Sequence, residues 1–127
     1  MISTGAYNYI NVLQKASEAS AKRHEVISNN IANVDTPNYK RQELDFGKML
    51  SGAFNRTTNL DEAVANMDLD ALEPNVYRDN KTLSYRLDGN NVDVETENAY
   101  LAENQLRYYT LIDSISQEFT RLQSVIK

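Results

Sequence analysis

The chain has 127 residues and a formal net charge of −5, with 18 acidic against 13 basic side chains and no cysteine. An acidic surface attracts neither nucleic acid nor anionic membrane, so neither is expected as the main partner. The absence of cysteine excludes disulfides, thiolate metal sites and a cysteine nucleophile. The chain has 41% hydrophobic residues, with three Phe and no Trp, which is a modest number of apolar side chains for a compact core. We expect part of this apolar surface to be buried only against a partner chain.

The first residues show no export leader of the ordinary kind. Residues 1–7 contain no basic region followed by an apolar core, so a cleaved signal peptide is not expected. No stretch approaches the roughly 18 apolar residues of a membrane span, and direct membrane insertion is not expected either. If the protein leaves the cytoplasm, we expect it to use an export pathway that does not depend on a cleaved signal peptide.

Residues 5–33 carry apolar side chains at helical spacing and predict a first long helix. Pro37 marks its end, because proline disfavours helical backbone at Thr36 and has no amide hydrogen of its own. Two neighbouring stripes make the apolar face wide and rich in small residues. One stripe is Ile10, Leu13, Ser17, Ser20, His24, Ile27, Ile31 and Val34, and the other is Tyr9, Val12, Ala16, Ala19 and Val26.

The middle of the chain has weaker patterns. Residues 45–54 have helical spacing and predict a short helix, although two glycines weaken it. Residues 55–75 are polar and acidic, and we expect them to be mobile. The runs 76–78 and 83–87 flank a polar turn at 79–82 and predict a small β-hairpin.

The last third of the chain predicts a second long helix over residues 94–126. Asp93 is a suitable N-cap, and 33 residues in one helix span about 50 Å. Steps of three and four residues alternate along it, which is typical of a helix that pairs in coiled-coil fashion. The seam is Asn98, Leu101, Gln105, Tyr108, Ile112, Ile115, Phe119, Leu122 and Ile126. Together with Ile10, Leu13 and Ile27 of the first helix, its apolar members form the predicted helix interface.

These elements predict a mainly α-helical fold. Long N- and C-terminal helices pack together in coiled-coil fashion, with a small β-hairpin and a flexible acidic segment between them. We expect four segments: 1–46 with the first helix and an Asn-rich motif, 47–75 variable and mobile, 76–91 with the hairpin and turn, and 92–127 with the last helix.

The Asn-rich motif is the run SNNIANVDTPNYKR at residues 28–41. Asn tolerates the left-handed conformation used at helix ends, and proline fixes the next bend. A cap needs one or two such residues, so the surplus leaves two interpretations open: a helix end, or a joint between subunits. The predicted assembly motif comprises Asn29, Asn30, Ile31, Asn33, Asp35, Thr36, Pro37 and Tyr39.

This run closely resembles the signature of flagellar rod, hook and hook-associated axial proteins. The run LDGNNVDVETE at residues 87–97 and the following helix resemble the C-terminal region of proximal-rod subunits. Residues 47–73 resemble nothing in that family and contain no large inserted domain, which favours the proximal rod. The resemblance implies that the two terminal helices pack as the inner layer of a tube. It also implies export through the flagellar type III apparatus.

No catalytic, cofactor or metal site is expected. His24 is the only histidine, and its place on the apolar face of a predicted helix favours a packing or interface role over that of a general base. The loop that begins at Asp88 lacks the glycine of a calcium loop, and Ala99 stands where the closing Glu would be.

The hypothesis is therefore a structural subunit of the proximal rod of the flagellar basal body. Its expected partners are copies of itself, other flagellar rod proteins and components of the export gate or its adaptors. Two alternatives stay open. One is a soluble helical adaptor, of the kind that export chaperones represent, and the other is the second short proximal-rod subunit.

Overall fold

Two long helices dominate the computed structural model, which describes residues 4–54, 59–65, 67–80 and 86–126. The mainly helical fold with a small antiparallel sheet is confirmed, and the long helices begin and end within one residue of their predicted bounds. In chain order the elements are α1 (Thr4–Ala32), β1 (Gln42–Leu44), α2 (Phe46–Phe54), α3 (Leu60–Ala65), a 3₁₀ turn (Asp70–Leu72), β2 (Val76–Arg78) and α4 (Val94–Ile126).

Helices α1 and α4 pack antiparallel along their length. Near the middle, Ser20 and Asn104 are both buried, and the Asn104 amide donates to the Ser20 carbonyl at 2.8 Å. At the start of α4, the Asp93 carboxylate accepts from the Glu95 amide at 3.1 Å, which confirms the predicted N-cap. No helix among the described residues is long and apolar enough to cross a membrane.

The face of α4 that meets α1 is rotated from the predicted seam. Its buried or half-buried positions include Glu97, Leu101, Asn104, Tyr108, Leu111, Ile115, Glu118 and Leu122. Four seam positions therefore face α1: Leu101, Tyr108, Ile115 and Leu122. The other five, Asn98, Gln105, Ile112, Phe119 and Ile126, are exposed. The rotation has a chemical cause. Glu97 and Asn104 are buried at the interface because each has a hydrogen-bond partner on α1. A search for hydrophobic spacing places such polar residues on the solvent side, so it predicts a different face.

The second stripe of α1 is covered by the middle of the chain. Ala19, Phe46 and Leu72 form a buried cluster, and the side chains of Ala63 and Val64 on α3 are also buried. Helix α2 confirms the short helix predicted at 45–54. The acidic segment therefore contributes to the core despite its weak pattern, while its mobility stays a prediction.

The small sheet pairs strands that are distant in sequence. β1 and β2 are antiparallel, with Gln42 opposite Arg78 and Leu44 opposite Val76. The predicted hairpin between 76–78 and 83–87 falls largely on residues 83–85, which lie outside the described residues, while residues 86–87 lie in a bend and turn. Three residues of β1 are too few to show a strand pattern, so the sequence did not indicate this pairing.

Candidate functional site

The two sequence motifs, residues 28–41 and 87–97, lie against each other and form what we call the motif junction. The Asn38 amide donates to the Asp88 carbonyl at 2.7 Å. The Arg41 amide donates to the side-chain oxygen of Asn91, also at 2.7 Å. The Asn91 amide in turn donates to the Tyr39 carbonyl at 3.3 Å. Backbone groups of each motif are thus satisfied by the other, which makes the junction one folded unit.

Asn90 closes the C-terminal end of α1. Its side-chain nitrogen lies 2.8 to 3.0 Å from the carbonyl oxygens of Asn33, Val34 and Thr36. The last carbonyls of a helix lack partners within the helix, and here a residue more than fifty positions away supplies a donor to the turn that follows. The side-chain oxygen of Asn90 accepts from the Val92 amide at 2.8 Å. Since Asn90 is fully buried, the end of α1 is fixed by the second motif.

Asn30 joins α1 to the chain that follows it. Its side chain donates to the Gln42 carbonyl and accepts from the Gln42 amide, both at 2.9 Å, as a neighbouring strand would. The Tyr39 hydroxyl donates to the same oxygen at 3.0 Å. The Asn30 nitrogen also donates to the Glu97 carboxylate at 3.2 Å. This 0% exposed side chain therefore connects α1, β1 and α4.

Arg41 is the buried cation of the junction. Its guanidinium donates to Glu97, to Asp79 at 2.7 Å and to Glu43 at 3.1 Å. The side chain of Arg41 is 6% exposed and that of Glu97 is 1% exposed. A buried charge is tolerated only when it is paired and hydrogen-bonded. The three carboxylates come from α4, the end of β2 and β1, so one side chain holds three elements together.

A second arginine extends this cluster. Arg23 of α1 donates to Glu43 at 3.0 Å. The guanidinium carbons of Arg23 and Arg41 lie 5.5 and 5.3 Å from the ring centre of Tyr100, within the range of a cation–π interaction. The aromatic ring on α4 thus lies beside both cations and stabilises them together with the carboxylates.

Arg41 and Glu43 keep their charges over a wider pH range than isolated side chains do. Burial alone would lower the pKa of Arg41, but its bonds to Glu97 and Glu43 outweigh burial and raise that pKa. Burial alone would raise the pKa of Glu43, but hydrogen bonds from Arg23 and from the Leu44 amide prevail and lower it. Burial, followed by the charge of Glu97, raises the pKa of Tyr39, so its hydroxyl stays a donor to Asn30.

Two residues with positive φ lie where the motifs meet, one in each motif. Asn38 has φ 62° and Gly89 has φ 74°. A Cβ on Gly89 would lie 2.7 Å from the side-chain oxygen of Asn38, so the close approach of the two motifs requires glycine there. The adjacent tip, which we define as residues 35–38, is exposed. The junction therefore holds this tip out into solvent on a fixed base.

The structure divides the predicted assembly motif in two. Asn30 is buried, and Ile31, Asn33 and Tyr39 are half-buried within the junction. Asn29, Asp35, Thr36 and Pro37 are exposed. The surplus of amide side chains thus has an explanation within the chain, because Asn30 and Asn33 bond to neighbouring groups of the same subunit.

The predicted helix interface is divided in the same way. Ile10, Ile27 and Leu122 are buried, and Leu13, Leu101, Tyr108 and Ile115 are half-buried. Ile112, Phe119 and Ile126 are 41%, 50% and 63% exposed. We call these three the outer stripe. They lie seven residues apart, which is two helical turns, on one flank of α4.

Sequence reasoning missed the polar centre of the site. No pattern in the sequence predicts the roles of Glu97, Arg41, Asn90 and Asn91. The available signal was that polar residues are concentrated in two motifs far apart in the sequence. Which side chain pairs with which depends on tertiary contacts, and no periodicity reports those.

His24 lies at the edge of the helix pair. It is exposed, and its packing or interface role stays a prediction. It lines a shallow cavity of about 270 Å³ with Tyr108 and Tyr109. Among the described residues, no group of three His, Cys, Asp or Glu could hold a metal ion.

We expect Arg41→Met to lower the free energy of unfolding by about 3 to 5 kcal/mol, because buried Glu97 loses its partner. The measurement is urea unfolding followed by circular dichroism. Arg121→Met, at a side chain 76% exposed, is the control and should change stability by less than about 0.5 kcal/mol. A double variant with Glu97→Gln should lose less than the sum of the single losses. Additive losses would contradict a coupled pair.

Acid should weaken the fold through Glu43. Because its pKa is lowered in the folded chain from the usual 4.5, the unfolded chain binds more protons between the two values. The free energy of unfolding therefore falls as the pH drops from 4.5 through the folded pKa. Glu43→Gln should be less stable at neutral pH and show a shallower decline in that window. An unchanged slope in urea titrations at pH 3 to 6 would disprove the contribution of Glu43.

Comparison with known proteins agrees with the resemblance of the two motifs. The family described as "Flagella basal body rod protein" matches residues 10–40. The flagellar basal body rod protein FlgB of Bacillus subtilis (strain 168) is 34% identical, over 90% of this chain and 89% of that protein. FlgB of Borrelia hermsii is 34% identical over 96% and 93%, and FlgB of Escherichia coli (strain K12) is 31% identical over 90% and 89%. The chain belongs to the FlgB family of flagellar basal body rod proteins.

Proposed function

We propose that this chain is a structural subunit of the proximal rod of the flagellar basal body. It associates with copies of itself and with other rod proteins and forms a helical tube. The proposal rests on family membership and on one observation in the structure, the outer stripe of α4. Its role is mechanical, and no catalytic step is part of it.

The outer stripe supplies apolar surface that the subunit itself does not cover. Ile112, Phe119 and Ile126 are each at least 41% exposed. The polar residues that lie between them on the same flank, Ser116 and Gln123, are uncharged and exposed. Removing such a surface from water stabilises association by about 25 cal/mol per Å² of apolar area. A long apolar line parallel to the helix axis suits a neighbouring helix that runs beside it.

The tip at residues 35–38 is proposed as a second contact between subunits. Its side chains are exposed, whereas the Asn residues behind it are engaged within the subunit. Two residues with positive φ, Asn38 and Gly89, hold the tip in place. Backbone in such conformations persists where the surrounding structure fixes it, and often marks a functional segment.

The proposal also includes the route by which the subunit is exported. Passage through the flagellar type III apparatus without a cleaved signal peptide, and contact with its export gate or adaptors, are supported by family membership alone. The alternative of a closed helical adaptor fits less well, because a closed helix pair has no need of a row of exposed apolar side chains on its outer flank.

The outer stripe is tested by placing a charge on it. We expect Ile112→Asp and Phe119→Asp to abolish swimming and the assembly of basal bodies, because a carboxylate would have to be buried without a partner. The measurement combines soft-agar motility with electron microscopy of purified basal bodies, at matched levels of exported subunit.

Leu106→Asp is the matched control for this experiment. Leu106 is 70% exposed, and six residues of helix separate it from Ile112 by about 120° around the axis of α4. The same apolar-to-acid change should therefore have a smaller effect there. Normal basal bodies with both outer-stripe variants would remove the stripe from the proposal.

Pro37→Ala tests the tip. Because Pro37 is exposed, we expect the free energy of unfolding to change by less than about 1 kcal/mol, while the yield of completed basal bodies falls sharply. Asn30→Ala is the contrasting variant, and it should lower stability by about 1 to 3 kcal/mol through its lost buried hydrogen bonds. If the Pro37→Ala variant gave the wild-type yield of completed basal bodies, the tip would be only a turn within the subunit and not a contact between subunits.

A further inference from the structure

An open groove lies on the flank of α4 opposite to the outer stripe. It has a volume of about 570 Å³ and runs between α1, α2 and α4. Apolar side chains contributed by all three helices and by β1 line it: Ala16, Ala19, Leu44, Phe46, Leu50 and Leu111. The middle segment therefore covers α1 but does not reach α4, and a strip of apolar surface is left exposed between α2 and α4.

The charges of the groove favour an uncharged apolar guest. Arg23 is paired with Glu43 at 3.0 Å, and Arg107 at the rim is paired with Glu103 at 3.1 Å. The two other charged residues of the lining, Lys48 and Asp45, are one cation and one anion, so the groove carries no net charge that would favour an acidic or a basic peptide. A row of apolar side chains from another molecule can enter the groove without breaking either of the two ion pairs.

The outer stripe has the complementary character. From Ile112 to Ile126 its flank of α4 carries Ser116, Phe119 and Gln123 and no charged side chain. The groove uses the other flank of the same helix, through Glu103, Arg107 and Leu111. A ridge and a groove on opposite flanks of one helix cannot satisfy each other within a single subunit. They can do so between successive copies, and such a heterologous contact continues as a filament when it does not close a ring.

We propose that the groove between α2 and α4 receives the outer stripe of a neighbouring copy of this chain. This inference rests on the proposed function, since it names the surface that the outer stripe meets. Phe119 is the central side chain of the ridge, and the groove floor at Phe46 and Leu50 receives it. Each subunit thus donates a ridge on one side and accepts one on the other.

Cysteine capture tests this contact, because the natural chain has no cysteine. Phe119→Cys protein is mixed with Ser51→Cys protein at high concentration, and disulfide-linked dimers are measured by mass spectrometry after mild oxidation. Ser51 is exposed and lines the groove. We expect the 119–51 heterodimer to exceed both self-linked dimers. Leu106→Cys, which lies off the ridge, is the matched partner for comparison and should give little heterodimer with Ser51→Cys.

Filling the groove gives the second measurement. Gly47 lines the groove, and a Cβ there would meet nothing within 4 Å, so Gly47→Trp should occupy the groove with little disturbance of the fold. Added to the Ser51→Cys copy, it should cause loss of the 119–51 heterodimer, while Gly47→Ala should retain it. Circular dichroism checks that both variants keep their helix content.

Several results would overturn the inference. Equal capture with the Phe119 and Leu106 cysteines would mean random collision, and absence of the 119–51 dimer would mean that another surface covers the stripe. Retention of the dimer in the Gly47→Trp variant would place the contact outside the groove. If Phe119→Asp abolished basal bodies while capture failed, the proposed function would stand and only the ridge-and-groove contact would fall.

Discussion

The burial of Arg41 against Glu97 is the constraint on which the rest of the structure depends. A charge with almost no exposure must be neutralised and hydrogen-bonded, or it destabilises the fold by several kcal/mol. Meeting that requirement brings together α4, both short strands and, through Asn30, the end of α1. The two motifs are therefore bound together by electrostatics and hydrogen bonds more than by apolar packing, which fixes their relative geometry since such bonds are directional.

Polar and apolar surfaces have different roles in this subunit. The motif junction satisfies its own groups, and among the described residues no buried side-chain nitrogen or oxygen atom lacks a hydrogen-bond partner. The flanks of α4, in contrast, leave apolar surface open at the outer stripe and in the groove. A rigid polar unit at one end and incompletely covered helices along the body suit a protein that folds first and then gains stability from its neighbours.

The two long helices were predictable because their signals are local. Thirty-three residues of repeating threes and fours, an Asp at the N-cap and a proline after the first helix define them without tertiary information. The face of α4 that meets α1 is different, because it includes polar residues. Leu101 and Leu122 are covered in the subunit whereas Ile112 and Phe119 are exposed, since Glu97 and Asn104 occupy the interface and each has a hydrogen-bond partner that only the folded chain supplies.

By itself, the sequence determined the helical class, the helix bounds and the family, because helix periodicity and two distinctive motifs are properties of neighbouring residues. Tertiary structure alone decided that β2 pairs with β1, that Asn90 closes α1 and that Arg41 gathers three carboxylates. Apart from the Arg41–Glu43 pair, those contacts join residues between 32 and 57 positions apart. Their energy depends on distance and burial in three dimensions, and a one-dimensional pattern carries no measure of either.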